Sequence, residues 1–378
     1  MKKPEEHARR EFLSRIGACA LMGALPENGW PADDGPRDGK PLRGLFPIGQ
    51  TPCTPDNKID LDALAAEVEF CNRGGVHDFV WPQIASGWAS LTRKERLEGA
   101  EAILAAGKGG KTALVIGVQT LGGGVNGPIE YAKHAAKNGA DAIISLPPEK
   151  ADDDGMLDYY RAVGRATDLP LFVQSTGDMS VDLIVRIFKT VPTMRVVKDE
   201  AGNPLERVAE IRNRTGGKLN VFSGKGVKTM ITEMERGFLG HCPTTGMSDI
   251  YEQAFDLWHT GKKREGFDMF GRVLAFESIP HAESYLLIAR GVFKETTITR
   301  PMSLPGNGRA ADGRAHTPLD EDAKREIRNA LTTYLPEAVS ERLRHVRQET
   351  KANDGGPGHA PELPRGDGGD RGRRFRAG

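Results

Sequence analysis

The chain has 378 residues, and its 52 lysines and arginines balance its 52 aspartates and glutamates. This balance gives no electrostatic support for a nucleic-acid partner or an anionic membrane surface. The four cysteines are Cys19, Cys53, Cys71 and Cys242, and they lack CxxC or Cys/His spacing, so the sequence indicates neither a zinc site nor a disulfide framework.

Residues 1–40 are predicted to be an export signal and a linker. Arg9-Arg10 precedes the weakly apolar stretch 16–25, a pattern that resembles a twin-arginine signal. Residues 26–40 are rich in Pro, Gly and Asp, which is typical of a linker. The expectation is therefore a periplasmic or otherwise exported protein, with a cytoplasmic location and a chance Arg-Arg pair as the alternative. No segment approaches the roughly 20 apolar residues of a membrane span.

Residues 41–245 alternate between apolar runs typical of strands and segments with helical period. Eight strands are predicted, at 44–49, 79–82, 113–118, 142–146, 170–173, 194–198, 219–223 and 237–242. Seven helices are predicted between them, at 61–71, 93–106, 128–137, 156–166, 180–189, 205–214 and 227–236. This alternation predicts an α/β protein with a (β/α)8 TIM barrel. A doubly wound open sheet is the alternative, disfavoured because no strand is followed by a GxGxxG turn.

Helices without intervening strands are predicted over residues 246–350, as a C-terminal helical extension. They lie at 250–259, 264–278 and 284–292 and within 319–347. The tail, residues 351–378, is rich in Gly, Pro and Arg and has few apolar residues, so it is predicted to be disordered.

Lys198 ends the apolar run that begins at Met194, and a turn signal follows at Ala201-Gly202. It is therefore placed at the carboxyl end of a strand, where barrel enzymes hold their catalytic residues. Apolar surroundings disfavour the charged form of an amine, so an amine held there can be neutral near pH 7 and attack a ketone to form a Schiff base. The alternative is a surface lysine at a junction between strand and loop.

A set of short motifs occurs in fixed order between Gly44 and Leu304. They are Gly44-Leu45-Phe46-Pro47, Leu91-Thr92 with Glu95-Arg96, Gly139-Ala140-Asp141-Ala142, Val197-Lys198-Asp199, Ser223-Gly224, and Arg290-Gly291 with Arg300-Pro301. Their order and spacing resemble the dihydrodipicolinate synthase / N-acetylneuraminate lyase family of class I Schiff-base barrels. The resemblance implies that Lys198 forms an imine with an α-keto acid such as pyruvate or a keto-sugar acid. It further implies an aldolase, synthase or dehydratase with no cofactor and no metal, assembled as a homotetramer or homodimer.

The resemblance also implies the residues that hold the substrate. Where the family has Gly-Thr-Thr-Gly-Glu after the second strand, this chain has Ala85-Ser86-Gly87. The Ser86 hydroxyl and the backbone NH groups of Ser86 and Gly87 are the predicted carboxylate holders, with a plain tight loop as the alternative. Gly224 is expected to let the substrate approach the backbone, and Cys242 to offer its carbonyl near the imine. A thiol nucleophile at Cys242 is disfavoured because no His-Asp pair accompanies it.

The chain departs from the family at the fifth strand, where the usual Tyr-Asn pair aligns with Val173 and Gln174. A proton donor and acceptor contributes roughly 10² to 10⁴-fold to a rate, so the missing phenol needs a replacement. The alternatives are Ser175, Thr176, Tyr159, Tyr160, Glu149 or a water held by Gln174. The missing tyrosine and the predicted export signal both argue against lysine biosynthesis. They favour a catabolic role on a sugar acid or an aromatic-derived keto acid.

Two other functions remain open on the sequence alone. A non-catalytic barrel that binds a keto acid or a protein partner is favoured by the missing phenol and disfavoured by the lysine at the strand end. A metal-dependent class II aldolase needs histidine and carboxylate ligands at strand ends. Only His241 lies on a predicted strand, and alternation turns it to the outer face.

Overall fold

The computed structural model describes residues 40–302 and 319–338. The predicted twin-arginine signal and the C-terminal tail lie outside the described residues and stay predictions. Among the described residues, no helix is long and apolar enough to cross a membrane.

Eight parallel strands form the central sheet. They are β1 (Gly44–Leu45), β3 (Asp78–Trp81), β4 (Ala113–Gly117), β5 (Ala142–Ser145), β6 (Leu171–Ser175), β7 (Met194–Asp199), β8 (Asn220–Ser223) and β9 (Gly240–His241). Their order is β1-β9-β8-β7-β6-β5-β4-β3. The ring closes just past β1, where Val80 donates to Pro47 O and Gly49 donates to Val80 O, both at 3.0 Å. The predicted (β/α)8 TIM barrel is confirmed.

Helices follow the barrel strands in the predicted places. The first seven are α1 (Leu61–Gly74), α2 (Arg93–Ala106), α3 (Asn126–Lys137), α4 (Asp153–Gly164), α5 (Val181–Thr190), α6 (Pro204–Arg214) and α7 (Met230–Arg236). Side-chain caps fix several starts: Asp60 accepts from Ala63 N at 3.0 Å, and Thr92 and Glu95 form a capping box. Because each cap involves residues close together in the sequence, the starts of these helices can be predicted from the sequence alone.

Within the described residues, four more α-helices follow the last barrel strand. They are α8 (Ser248–His259), α9 (Lys263–Glu277), α10 (Ala282–Ala289) and α11 (Glu321–Tyr334). Arg290, at the end of α10, donates to both carboxylate oxygens of Asp249 in α8 at 2.7 Å. A short strand, β10 (Ile298–Thr299), then returns to pair antiparallel with β2 (Pro52–Cys53) near the barrel mouth. The buried ion pair therefore joins two helices of the helical region, and the strand pair ties that region to the barrel.

The interior of the barrel carries an aromatic layer. The rings of Phe46, Phe172 and Phe222 lie with centroids 4.5 to 5.7 Å apart. Because strand residues two positions apart share a face, the positions after this layer in β6 and β7 also face the interior. These are Gln174, and Lys198 two residues past the buried Val196. The apolar layer thus forms the floor beneath the polar groups at the carboxyl ends of the strands.

Candidate functional site

A cavity of about 670 Å³ opens at the carboxyl ends of the barrel strands. Its wall includes Lys198, Glu200, Gly224, Lys225, Cys242 and Thr176. This is the end of the barrel where enzymes of this architecture carry out their chemistry. The structure therefore brings three of the predicted site residues, Lys198, Gly224 and Cys242, to one cavity.

Lys198 is almost fully buried, with 4% of its surface exposed, and forms an ion pair inside the cavity. Its Nζ lies 3.0 Å from Oε1 of Glu200. Alternation along the chain turns Lys198 and Glu200 inward and Asp199 outward. On the outside, Asp199 accepts from Ser175 Oγ at 2.6 Å and lies 3.3 Å from Arg207 Nε. Glu200 was missed by the sequence analysis, although its spacing of two residues from Lys198 is the signal that would have found it.

Two opposing influences act on the pKa of Lys198. Burial is the strongest single influence and acts to lower the pKa of Lys198, as the sequence predicted. The charge and hydrogen bond of Glu200, with a contribution from Cys242, outweigh burial, so the pKa of Lys198 is raised above its ordinary value. The ion pair therefore favours the charged amine at rest, because the carboxylate offsets the apolar surroundings. A proton must leave Nζ before the amine can act as a nucleophile.

Gln174 and Gly224 hold the Glu200 carboxylate against the lysine. Gln174 pairs with Lys198 across β6 and β7, and its Nε2 donates to Oε2 of Glu200 at 2.7 Å. A Cβ at Gly224 would lie 2.1 Å from Oε1 of Glu200, so only glycine leaves room for this carboxylate. The space that the sequence assigned to an approaching substrate is occupied by a side chain of the protein.

The strand register also corrects the alignment with the family's tyrosine. The sequence placed the tyrosine's counterpart at Val173. In the structure Phe172 belongs to the interior layer and Gln174 bonds to Glu200, so Val173 between them faces the surrounding helices. The residue of β6 beside the lysine is therefore Gln174, whose amide hydrogen-bonds but cannot transfer a proton.

Ser86 and Gly87 do not line the cavity, although their neighbours Ile84 and Ala85 do. The Ser86 hydroxyl donates to Gly49 O at 2.5 Å, and its NH donates to Gln83 O at 3.0 Å. The NH of Gly87 donates to Ile84 O at 3.1 Å. All three predicted carboxylate donors are thus engaged within the protein, and the geometry favours the alternative of a tight loop.

Gly87 is required by the loop itself rather than by a ligand. Its φ of 68° lies in the left-handed region that favours glycine. A Cβ there would also lie 2.4 Å from Pro301 O, in the segment that returns over the barrel mouth.

Cys242 lines the cavity but is not a thiolate. Burial raises the pKa of its thiol to about 12, although the nearby charge of Lys198 acts in the opposite direction. The preceding residue, His241, faces outward as expected, with Nδ1 2.8 Å from Oε2 of Glu233. These positions favour neither a thiol nucleophile nor a role for His241 in the cavity.

The described residues contain one group with metal-ligand spacing, and it lies away from the cavity. It consists of His77, Glu252 and Asp256, where His77 comes just before the amino end of β3. His77 Nδ1 and Glu252 Oε1 lie 2.7 Å apart, so the two side chains form an ion pair when the imidazole is protonated. The cavity wall has no such group among the residues that the structure describes.

The other candidates for the missing proton donor are placed differently. Tyr159 bonds to Ser145 Oγ at 2.7 Å and Tyr160 to Ser145 O at 3.1 Å, on the helix side of the strands and outside the cavity wall. Burial raises the pKa of Tyr159 to about 12. Glu149 is exposed outside the cavity wall. Of the named alternatives, Thr176 alone joins Lys198 in the cavity wall.

Comparisons with known proteins agree with this architecture. The profile of the dihydrodipicolinate synthetase family matches residues 41–287. The 4-hydroxy-tetrahydrodipicolinate synthase of Rhizobium meliloti is 31% identical over 194 residues, which cover 49% of this chain and 64% of that protein. The match thus spans less than two thirds of the length of this relative.

Two solved structures share the fold. Dihydrodipicolinate synthase from Rhodopseudomonas palustris aligns with a TM-score of 0.62 and 20% identity, over 77% of this chain and 97% of that one. A sialic acid aldolase from Ruminococcus gnavus aligns with a TM-score of 0.62 and 17% identity, over 78% of this chain and 99% of that one. At these identities the likeness shows the fold alone.

Proposed function

Because this chain belongs to the dihydrodipicolinate synthetase family, we propose that it is a class I lyase whose Lys198 forms a Schiff base with an α-keto acid. The observation that carries the proposal is the buried amine of Lys198, which lies at the carboxyl end of β7, faces the cavity and contacts a carboxylate. An imine at this nitrogen withdraws electrons from the bonded carbon chain. That electron sink serves retro-aldol cleavage, condensation or dehydration.

The cavity favours a substrate larger than pyruvate. Its volume of about 670 Å³ lies in the range of sites for drug-sized ligands. Lys225 and Lys228 on its wall supply positive charge for a carboxylate, and Thr176 supplies a hydroxyl. Glu277 and Glu283, also on the wall, can accept hydrogen bonds from substrate hydroxyls. We therefore assign the substrate to the keto-sugar acids, with the carboxylate held by groups other than Ser86.

Borohydride trapping tests the proposal. The protein is incubated with pyruvate and a panel of α-keto sugar acids, reduced, and digested for peptide mass spectrometry. We expect a reduced adduct on Lys198, with the greatest yield from the preferred acid. Lys198→Arg is the matched variant, because guanidinium keeps the charge beside Glu200 but forms no imine.

An adduct that persists in Lys198→Arg would place the reaction at another lysine and contradict the proposal. With an active class I aldolase as positive control, the absence of any adduct would instead favour a non-catalytic barrel that binds a keto acid or a protein partner.

A further inference from the structure

We propose that Glu200 is the catalytic group that moves protons at Lys198 and at the carbon next to the imine. The proposal rests on the proposed Schiff-base function. The sequence left the proton donor and acceptor open. Glu200 fills that role, although it was not among the alternatives named from the sequence.

The chemistry requires one group to act on both sides of imine formation. Glu200 first takes a proton from the Lys198 ammonium, leaving a neutral amine and a carboxylic acid. The amine attacks the ketone: the C–N bond forms and the carbonyl electron pair moves to oxygen. The carboxylic acid protonates that oxygen and takes a second proton from nitrogen. It then protonates the hydroxyl, the C–O bond breaks, water leaves, and an iminium remains beside the Glu200 carboxylate.

The same carboxylate can activate the substrate carbon. When Glu200 removes a proton from the carbon next to the iminium carbon, the C–H electron pair forms a C=C bond. The C=N electron pair moves to nitrogen, which gives a neutral enamine and a carboxylic acid. Return of the proton reverses the step, so the proton balance closes without an added reactant.

The geometry selects Glu200 over the other groups of the cavity wall. Its Oε1 is 3.0 Å from Nζ, and no other described carboxylate forms an ion pair with Lys198. Cys242 holds its proton too tightly, since burial raises the pKa of the thiol to about 12. The hydroxyl of Thr176 does not titrate in the ordinary pH range. Tyr159 and Tyr160 are absent from the cavity wall.

The contacts of Glu200 hold it in place and leave it open to the substrate. One carboxylate oxygen faces Lys198, and the other accepts from Gln174 Nε2 at 2.7 Å. The absence of a side chain at Gly224 lets the carboxylate lie against β8. The side chain is 18% exposed, and it lines the cavity. An anchored carboxylate at an open wall can exchange protons with a bound molecule.

The competing explanation is that Glu200 is only an ion-pair partner, and the two roles predict opposite effects. If its charge is removed, burial is left as the strongest influence on Lys198 and the amine loses its proton more readily. If Glu200 is only an ion-pair partner, the Glu200→Gln variant should form the imine faster than wild type near neutral pH. If Glu200 transfers protons, proton transfer in the same variant should be slower than in wild type, even though more of the amine is neutral.

Hydrogen-deuterium exchange separates proton transfer from imine formation. Pyruvate, and any keto acid that traps on Lys198, is incubated with the protein in D₂O, and loss of the proton signal at C3 is followed by NMR. The same samples are reduced with borohydride to measure the adduct. The proteins compared are wild type, Glu200→Gln and Glu200→Asp. Glu206→Gln, the same change on the exposed face of α6, is the matched control.

We expect Glu200→Gln to reach the wild-type extent of adduct while its exchange rate falls by about 10² to 10⁴-fold. Glu200→Asp keeps a titrating carboxylate and should recover at least about tenfold of that loss. Melting curves confirm that each variant is folded.

An exchange rate in Glu200→Gln equal to or above that of wild type would overturn the role of Glu200 and leave the Schiff base intact. Absence of an adduct in the wild-type protein would overturn the proposed function itself.

Discussion

The carboxylates of Glu233 and Glu200 lie on opposite sides of the barrel wall, and they differ in how many of their hydrogen-bonding positions are filled. Glu233, on α7 outside the barrel, accepts from Ser223 Oγ and Thr229 Oγ1 at 2.7 Å, and its other oxygen lies 2.8 Å from Nδ1 of His241. It is 2% exposed. Glu200, inside the barrel, has two partners and faces a cavity. A saturated carboxylate stabilises the fold, whereas one with an open side can act on a ligand.

The electrostatic balance at Glu233 favours its charged form. Burial acts to raise the pKa of Glu233, but the hydrogen bond and charge of His241, with Ser223 and Thr229, outweigh it and lower the pKa. A carboxyl group whose pKa is lowered on folding contributes stability above its unfolded pKa, and that stability is lost as pH falls through the folded value. Glu233 is thus a group that holds its charge in the folded protein.

The largest expected effect comes from removing the Glu233 carboxylate, which bonds to Ser223, Thr229 and His241 outside the barrel. Glu233→Ala leaves His241 buried without its carboxylate, and we expect the free energy of unfolding to fall by about 3 to 5 kcal/mol in urea denaturation. Glu235→Ala, on the same helix at an exposed ion pair with Lys263, should change it by less than about 1 kcal/mol. Equal changes in the free energy of unfolding for the two variants would show that the bonds of Glu233 do not stabilise the fold.

A smaller effect is expected when the inner carboxylate is displaced. An added methyl at Gly224 collides with Glu200. With Glu200 moved away, burial lowers the pKa of Lys198, and the exchange of pyruvate protons should slow by about 10²-fold. The lysine is then expected to be alkylated at lower pH than in wild type. Gly124→Ala is the control, because an added Cβ meets no atom there. An unchanged pH dependence would mean that Glu200 does not hold the proton on Lys198.

The smallest effect is expected when the anchor of Glu200 is removed. Gln174→Leu deletes one hydrogen bond to the carboxylate, and we expect exchange to slow by about tenfold, since such a bond is worth about 1.5 kcal/mol or more. Val173→Ala is the comparison, because that side chain faces the helices. It should lower the melting temperature and leave the exchange rate of the folded protein unchanged. The reverse pattern would restore Val173 as the position beside the lysine.

The barrel was predictable because its signals are local. Buried parallel strands are continuous apolar runs, and helix starts such as Thr92 with Glu95 carry their caps within four residues. Lys198 could be placed for the same reason, since it ends such a run. The engagement of the Ser86 and Gly87 donors was not predictable, because their acceptors at Gly49, Gln83 and Ile84 are set by how the loop folds.

The remainder of the site depends on contacts across strands. The charge of Lys198 could not be inferred from its apolar neighbours, because Glu200 decides it. The position of Gln174 beside Lys198 follows from the pairing of β6 with β7, which an alignment of short motifs leaves uncertain by one residue. A one-residue shift turns a side chain to the opposite face of a strand, and it separates Val173 from the site.

The pairing of β10 with β2 limits where this chain can be truncated or recombined with a relative. A barrel cut after its eighth strand would lack the partner of Pro52–Cys53 and the backbone of Pro301 that packs on Gly87. The described residues on both sides of that cut belong to one compact unit. Recombination between relatives would therefore preserve the mouth of the barrel only when the helical region and the first loops come from the same parent.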